Sequence, residues 1–219
     1  MAGKKILTKK QKQFLELFSR SVLAKQFYFT GGTALSYIYL QHRFSEDLDF
    51  FSEKEIDLQA VNVFIKLIQK DLKYKSLDIK TAFNRNIFML RFDKKNFLKI
   101  EFTYYPFPQI KKPVKKYGLL IDSLLDIGVN KLFTINQKPR GRDYFDLFFI
   151  VKKEKITMDK LRLLAKQKFD WHVDRLQLGM QLSRVGKLLD DPILIKRVNK
   201  KELVDFFVKE AVRFKEEII

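Results

Sequence analysis

The sequence predicts a mixed α/β lobe over residues 1–118, a mixed sheet with flanking helices, followed by an all-α lobe over 119–219. Three observations carry that expectation. The first half alternates short apolar runs of strand type with amphipathic runs of helical period. Residues 106–118 then break all periodicity with Pro106, Pro108, Pro113 and the lysines Lys111, Lys112, Lys115 and Lys116. Beyond Asp122 the apolar runs keep a helical period, with no strand pattern of comparable quality.

Thr8 is placed to cap a helix running to about Lys25, with Phe14, Phe18 and Val22 on one face. FYFT at 27–30 reads as a short strand, broken by Gly31 and Gly32 before a helix from Thr33 to about Gln41. LDFF at 48–51 is a second strand, followed by a helix capped by Asp57 and ending near Tyr74. Three strands follow at 77–83, 86–92 and 97–104, the last two joined by a hairpin at Asp93–Asn96. Helices are expected at about 122–137, 140–152, 158–169, 171–189 and 200–217, with Thr157 and Asn199 as caps. A cleft between the two lobes is an expected place for a substrate.

Composition narrows the chemistry. The 219 residues are 46% hydrophobic and include no cysteine, so disulfides, thiolate metal sites and cysteine nucleophiles are excluded. No apolar run approaches the length of about 18 residues that a membrane span needs. The first residues carry charge without an apolar stretch, so no secretory signal is expected, and a reducing cytoplasm fits. Lysine and arginine total 44 against 26 acidic residues, a formal charge of +18. Such a field attracts polyanions, nucleic acid above all, although a lysine-rich composition by itself says nothing about chemistry.

The stretch FYFTGGTALSYIYLQHRFSEDLDFF is the most informative. Glycines between a strand and a helix let backbone N–H groups approach an anion at the helix N-terminus, and Thr33 adds a hydroxyl. Asp47 and Asp49 are two apart on a strand, so both carboxylates share one face while Leu48 and Phe50 take the other. Two such carboxylates repel and need a cation, for which Mg²⁺ is the natural candidate. In FLKIEFTYY, Glu101 lies opposite Leu98, Ile100 and Phe102, alongside Lys99 and Thr103, where it is able to join them. The alternative for each is a solvated acidic strand face. His42 and His172 are the only histidines, and His42 reads as a helix-end cap.

Fourteen residues separate Gly32 from Asp47, and the order GGTAL, DLD and a later strand carboxylate is similar to the nucleotidyltransferase superfamily pattern. More narrowly, GGTALSYIYLQHRFSEDLDFF resembles the AbiEii/AbiGii family of type IV toxin–antitoxin toxins, with its HR-x-S-x-DLDFF signature. DSLLDIGVNKLFTINQKPRGRDYFDLFFI resembles the family's helical signature, a lysine on one helix and R-D-x-x-D-L on the next. The likeness covers 27–51 and 122–151 well and 97–104 loosely, and nothing is recognised beyond 155.

The resemblance implies a nucleotidyltransferase-like first lobe and transfer of NMP from an NTP. Asp47, Asp49 and Glu101 would hold Mg²⁺; Gly31, Gly32, Thr33, Arg43, Ser45, Lys131 and Asp146 would bind the nucleotide. Lys131 and Asp143 join the carboxylates as catalytic candidates. Read from the residues, Asp143 and Asp146 share a helix face, and either is able to pair with Lys131 or to orient substrate. A buried ion pair tying two helices is the structural alternative. The resemblance further implies a toxin with a cognate antitoxin, and an RNA acceptor such as a tRNA 3′ end. The connector lysines with Tyr104, Tyr105 and Tyr117 offer charge and stacking surfaces for it. Two other readings stay open: a small-molecule nucleotidyltransferase, and a non-catalytic nucleotide- or RNA-binding module on the same scaffold.

Overall fold

Thr8 opens the first helix as a capping box: its hydroxyl accepts from Gln11 N and the Gln11 side chain accepts from Thr8 N. In the computed structural model, which describes residues 6–188 and 192–216, that helix is α1, Lys9–Ser19. It stops earlier than expected. Residues Val22–Lys25 form a separate 3₁₀ turn, so Val22 is 81% exposed while Phe14 and Phe18 are fully buried.

The chain divides into two units, described in turn. The first comprises residues up to Tyr39, Phe44–Pro108 and Lys112–Ser123. Its strands are β1 (Tyr28–Thr30), β2 (Leu48–Ser52), β3 (Ser76–Ala82), β4 (Arg85–Arg91), β5 (Phe97–Tyr104), β6 (Val114–Lys116) and β7 (Leu119–Ile121). They form one mixed sheet in the order β3-β4-β5-β2-β1-β7-β6. β2 runs parallel to β5 and antiparallel to β1, which in turn is parallel to β7. The helices are α1, α2 (Gly31–Ala34, continued as a π-helical stretch Leu35–Leu40), α3 (Leu58–Leu67, capped by Asp57) and α4 (Gln69–Leu72).

Two expectations need correction here. The helix after β1 starts at Gly31, not Thr33, so the glycines form its first turn. The 106–118 connector is helix-poor as expected and holds the strand β6, but residues 119–121, expected in the all-α lobe, form β7, a parallel neighbour of β1. The last passage of the chain from the first unit to the second falls after Ser123. Three-residue strands are too short to show periodicity, and their pairing partners are distant in sequence.

One face of this sheet is the core. Phe29, Leu48, Phe50, Phe88, Ile100 and Phe102 are buried to within 1%. Phe14 and Phe18 of α1 and Val61, Phe64 and Ile65 of α3 belong to the same cluster. The Phe18 ring centroid stands 4.4 Å from that of Phe50 and 5.5 Å from that of Phe64. Each such ring contributes roughly 1.5–3 kcal/mol by burial, so the other face is left available for polar groups.

The second unit comprises Leu40–Arg43, Gln109–Lys111 and the residues from Leu124 onward. Its described regular elements are helices: α5 (Leu124–Gln137), α6 (Gly141–Glu154), α7 (Met158–Phe169), α8 (Arg175–Ser183, followed by a 3₁₀ turn Arg184–Lys187) and α9 (Lys200–Glu216). Thr157 and Asn199 accept the expected cap bonds from Lys160 N and Lys201 N. The helix expected from 171 begins at Arg175, because Asp174 caps it and accepts from Gln177 N at 2.7 Å. Leu189 and Glu217, the last residues of two expected helices, lie outside the described residues. The buried Asp126 carboxylate accepts from Ile110 N, Lys111 N and Lys168 Nζ, which fastens the Gln109–Lys111 segment to α5 and α7. Among the described residues no helix is long and apolar enough to cross a membrane.

Candidate active site

The polar face of the sheet is built from strand alternation. Leu48 and Phe50 point into the core, so Asp49 and Phe51 point away from it. Register then aligns neighbours: Asp49 stands opposite Thr30 on β1 and opposite Glu101 on β5. Asp47 lies one residue before β2 on the same side. Its approach is held by Gln11, whose amide donates to Ser45 O at 3.0 Å and Glu46 O at 2.9 Å. The Thr33 hydroxyl donates to Asp47 O, so this buried group is engaged within the fold.

Gly31 meets two requirements at once. Its φ of +73° lies in the left-handed region, and a Cβ built on it would stand 2.1 Å from Asp49 Oδ2. The helix start and the Asp49 carboxylate are thus in direct van der Waals contact, which only a glycine permits. Gly32 follows, buried, in the same turn, and Ser45 is half-buried just before Asp47.

Two cations meet these carboxylates. Arg85 on β4 donates to both Glu101 oxygens at 2.6 Å, and the Thr103 hydroxyl donates to Glu101 Oε1 at 3.0 Å. Lys99 Nζ donates to Asp47 Oδ2 at 2.6 Å and stands 3.9 Å from Glu101 Oε2. Burial pushes the Glu101 carboxyl up, but Arg85, Thr103 and Lys99 together hold it below the ordinary carboxylate range. Glu101 is therefore held as the anion, with both oxygens engaged by Arg85. Arg85 is raised in turn by its bond to Glu101, against burial.

Among the described residues no group of three or more His, Asp or Glu stands in a ready metal-ligating array. The donor chemistry nonetheless fits a divalent cation. Three hard carboxylates share one sheet face, two of them at the same register position, and a lysine ammonium bridges two of them.

In the helical unit the second expected set also comes together. Lys131 on α5 donates to Asp143 at 2.8 Å and lies 2.7 Å from Asp146, both on α6 and both fully buried. Arg140 adds bonds to Asp143, and Arg43 grips Asp146 at 2.6 and 2.8 Å. His42 Nε2 stands 2.7 Å from Asp146 Oδ1. Burial pushes the Asp146 carboxyl up, but Lys131 and Arg43 outweigh it and hold the group well below the usual range. Burial lowers His42 more than Asp146 raises it, which favours the neutral ring, and the contact of Nε2 with the Asp146 carboxylate calls for the tautomer that carries its proton there. His42 Nδ1 has no hydrogen-bond partner among the described residues. The geometry is that of an ion network tying α5, α6 and the Leu40–Arg43 segment together. Arg43 and Asp146, expected at the nucleotide, are here bound to each other.

Sequence reasoning missed Gln11, Arg85 and the role of Lys99. Lys99 carried a signal, since it alternates with Glu101 on one strand; Arg85 is brought in only by the β4–β5 register.

The comparisons with known proteins agree with this architecture. Residues 13–216 match the model of the family described as nucleotidyl transferase AbiEii toxin, type IV TA system. An uncharacterised protein of Aquifex aeolicus, aq_aa25, is 33% identical over 168 residues, 74% of this chain and 76% of that one. The crystal structure of JHP933 from Helicobacter pylori superposes with a TM-score of 0.59 at 23% identity, covering 95% of this chain and 90% of that one. The Megavirus polyadenylate synthase gives a TM-score of 0.50 at 16% identity, over 68% of this chain and 32% of that one. With a family match across nearly all of its length and a sheet that carries a row of carboxylates on one face, this chain belongs to the AbiEii nucleotidyltransferase toxins of type IV toxin–antitoxin systems.

Proposed function

We propose that the protein transfers NMP from an NTP to the 3′ end of an RNA, with Asp47, Asp49 and Glu101 as the catalytic carboxylates. The observation that carries this reading is the alignment of Asp49 with Glu101 across β2 and β5, beside the Gly31 turn. Asp47, Asp49 and Glu101 would hold Mg²⁺, which when bound would neutralise triphosphate charge and favour ionisation of the acceptor hydroxyl. The depressed affinity of Glu101 for protons suits it to ligation, not to proton abstraction. The turn at Gly31 and Gly32 presents backbone to the phosphates, with Thr33 fixing that turn against Asp47. Lys99 and Arg85 balance the carboxylates and supply positive charge beside the transferred phosphoryl group. Lys131, Asp143, Asp146 and Arg43 act by holding the Leu40–Arg43 segment, from which the chain leads into Ser45 and Asp47.

The acceptor is read from charge. Lys111, Lys112, Lys115 and Lys116 are all exposed, and the chain carries +18 overall. That favours an RNA backbone over a small cationic acceptor such as an aminoglycoside. As a type IV toxin the protein would be opposed by a cognate antitoxin. The test is incorporation of each labelled NTP into tRNA and total RNA with Mg²⁺, using wild type, Asp47→Asn and Asp49→Asn. Label transfer by wild type and its loss in both variants is expected. No incorporation with any of the four NTPs on RNA would overturn the reading.

A further inference from the structure

Two hairpin turns of the sheet break the same rule. The β3–β4 register pairs Ala82 with Arg85, leaving Phe83 and Asn84 as a two-residue turn. The β6–β7 register pairs Lys116 with Leu119, leaving Tyr117 and Gly118. The first turn residue is left-handed in both, with φ +54° at Phe83 and +54° at Tyr117. Such turns select glycine, asparagine or aspartate there, because a bulky side chain is sterically strained in that region. Here each turn instead presents an aromatic ring to solvent: Phe83 is 96% exposed and Tyr117 62%. The Tyr117 ring lies 5.8 Å from that of Tyr37, to which its hydroxyl is hydrogen-bonded, whereas at Phe83 backbone strain combined with a ring 96% exposed has no rationale in folding stability. The other left-handed non-glycine residues, Gln41, Lys73, Lys155 and Asp170, follow helix ends, where that conformation is ordinary.

Strand directions place both turns at one edge of the sheet. β4 and β7 each leave their turn and run the same way as β1, while β2 and β5 run toward that edge. The chain emerging from β5 continues the row: Tyr105 N bonds Ser52 O, and the Tyr105 ring lies 4.6 Å from Phe51 and 4.9 Å from Phe107. Tyr104 N bonds Asn84 O, which ties this segment to the Phe83 turn. Phe51 lies two residues beyond Asp49 on the same face of β2, so the rings continue the carboxylate row. At the far end Lys115 and Lys116 are exposed, and Lys116 Nζ stands 5.3 Å from the Tyr117 ring. The two turns are five strand spacings apart, roughly 24 Å at about 4.8 Å each.

We propose that this edge is a stacking track for the bases of a single-stranded nucleic-acid acceptor, from Phe83 past Tyr105 and Phe107 to Tyr117. The inference deepens the reading of an RNA acceptor and rests on it. Flat rings spaced along an edge, with lysines beside them, suit bases and backbone phosphates of any sequence. A folded protein acceptor would need a shaped, closed apolar surface instead.

The turns supply variants that separate binding from folding. Phe83→Gly and Tyr117→Asn remove the rings and install the residues these backbones prefer; Phe83→Gly should melt at or above the wild-type temperature, while Tyr117→Asn also gives up the contact with Tyr37 and should stay folded with little change. Binding of an RNA of about ten bases carrying 2-aminopurine near its 3′ end is measured by fluorescence, with DNA of the same sequence alongside. Wild type should quench the probe, and each variant should weaken binding by at least about fivefold and lessen the quench. Wild-type affinity and quench in both variants overturn the proposal, as does a fall in the melting temperature of Phe83→Gly, which would mark that ring as packed structure. Failure of wild type to bind either oligonucleotide also overturns it. Binding and quench without nucleotide transfer would support the track and count against the transferase reading of the acceptor.

Discussion

Replacing Gly31 by alanine tests the contact between the helix start and the Asp49 carboxylate. The added Cβ would lie 2.1 Å from Asp49 Oδ2 and 2.9 Å from its Cγ, and φ would remain near +73°. The left-handed backbone alone costs an L-residue roughly 1–2 kcal/mol. Relieving the overlap by moving a packed neighbour costs typically about 1–3 kcal/mol more. A total loss of about 2–5 kcal/mol is therefore expected by urea denaturation. Catalysis should fall more steeply, because the atom displaced is a carboxylate oxygen of the candidate metal site. The double variant Gly31→Ala with Asp49→Ala removes the overlap but keeps the backbone strain. It should regain about 1–3 kcal/mol over the single variant while remaining inactive. A Gly31→Ala protein with wild-type stability and transfer, or a double variant no more stable than the single, would refute the reasoning.

Asp146→Ala removes the buried carboxylate shared by Lys131, Arg43 and His42, leaving Lys131 with Asp143 and two buried cations with one anion fewer, and should cost about 3–5 kcal/mol in urea melts. His42 has a lowered affinity for protons in the folded state, so the unfolded chain binds more protons below its ordinary range. Stability should therefore fall as pH drops below about 6.5, and His42→Gln should flatten that part of the profile. Asp146 and Asp143 are also lowered, so their stabilisation is present above the usual carboxylate range and is lost only as pH falls through their depressed folded values, a second and more acidic loss. Arg85→Gln should raise the proton affinity of Glu101 and move the acid limb of the pH–rate profile toward neutrality; an unmoved limb would exclude Arg85 as its partner. Changing Lys111, Lys112, Lys115 and Lys116 to glutamate should weaken RNA binding and flatten its dependence on salt, read from filter binding at several salt concentrations.

Local patterns were legible in the chain itself. Thr8, Asp57 and Thr157 announce helix starts because capping needs only residues within one turn. The split of Asp47 and Asp49 from Leu48 and Phe50 follows from the two-residue period of a strand, and so does the polar side of Glu101. What the sequence alone left open was everything that depends on register between distant segments. Arg85 reaches Glu101 because β4 pairs antiparallel with β5, and Gln11 reaches the Ser45–Glu46 backbone from a helix more than thirty residues earlier. β6 and β7 are strands because β1 offers an open edge to β7, not because three residues have any periodicity. The partners of Asp143 and Asp146 likewise lay beyond the sequence. Their helix face was evident from i, i+3 spacing, but their partners Arg43 and His42 stand about a hundred residues away. Side-chain period is a property of neighbouring residues, whereas charge pairing is a property of the packed chain.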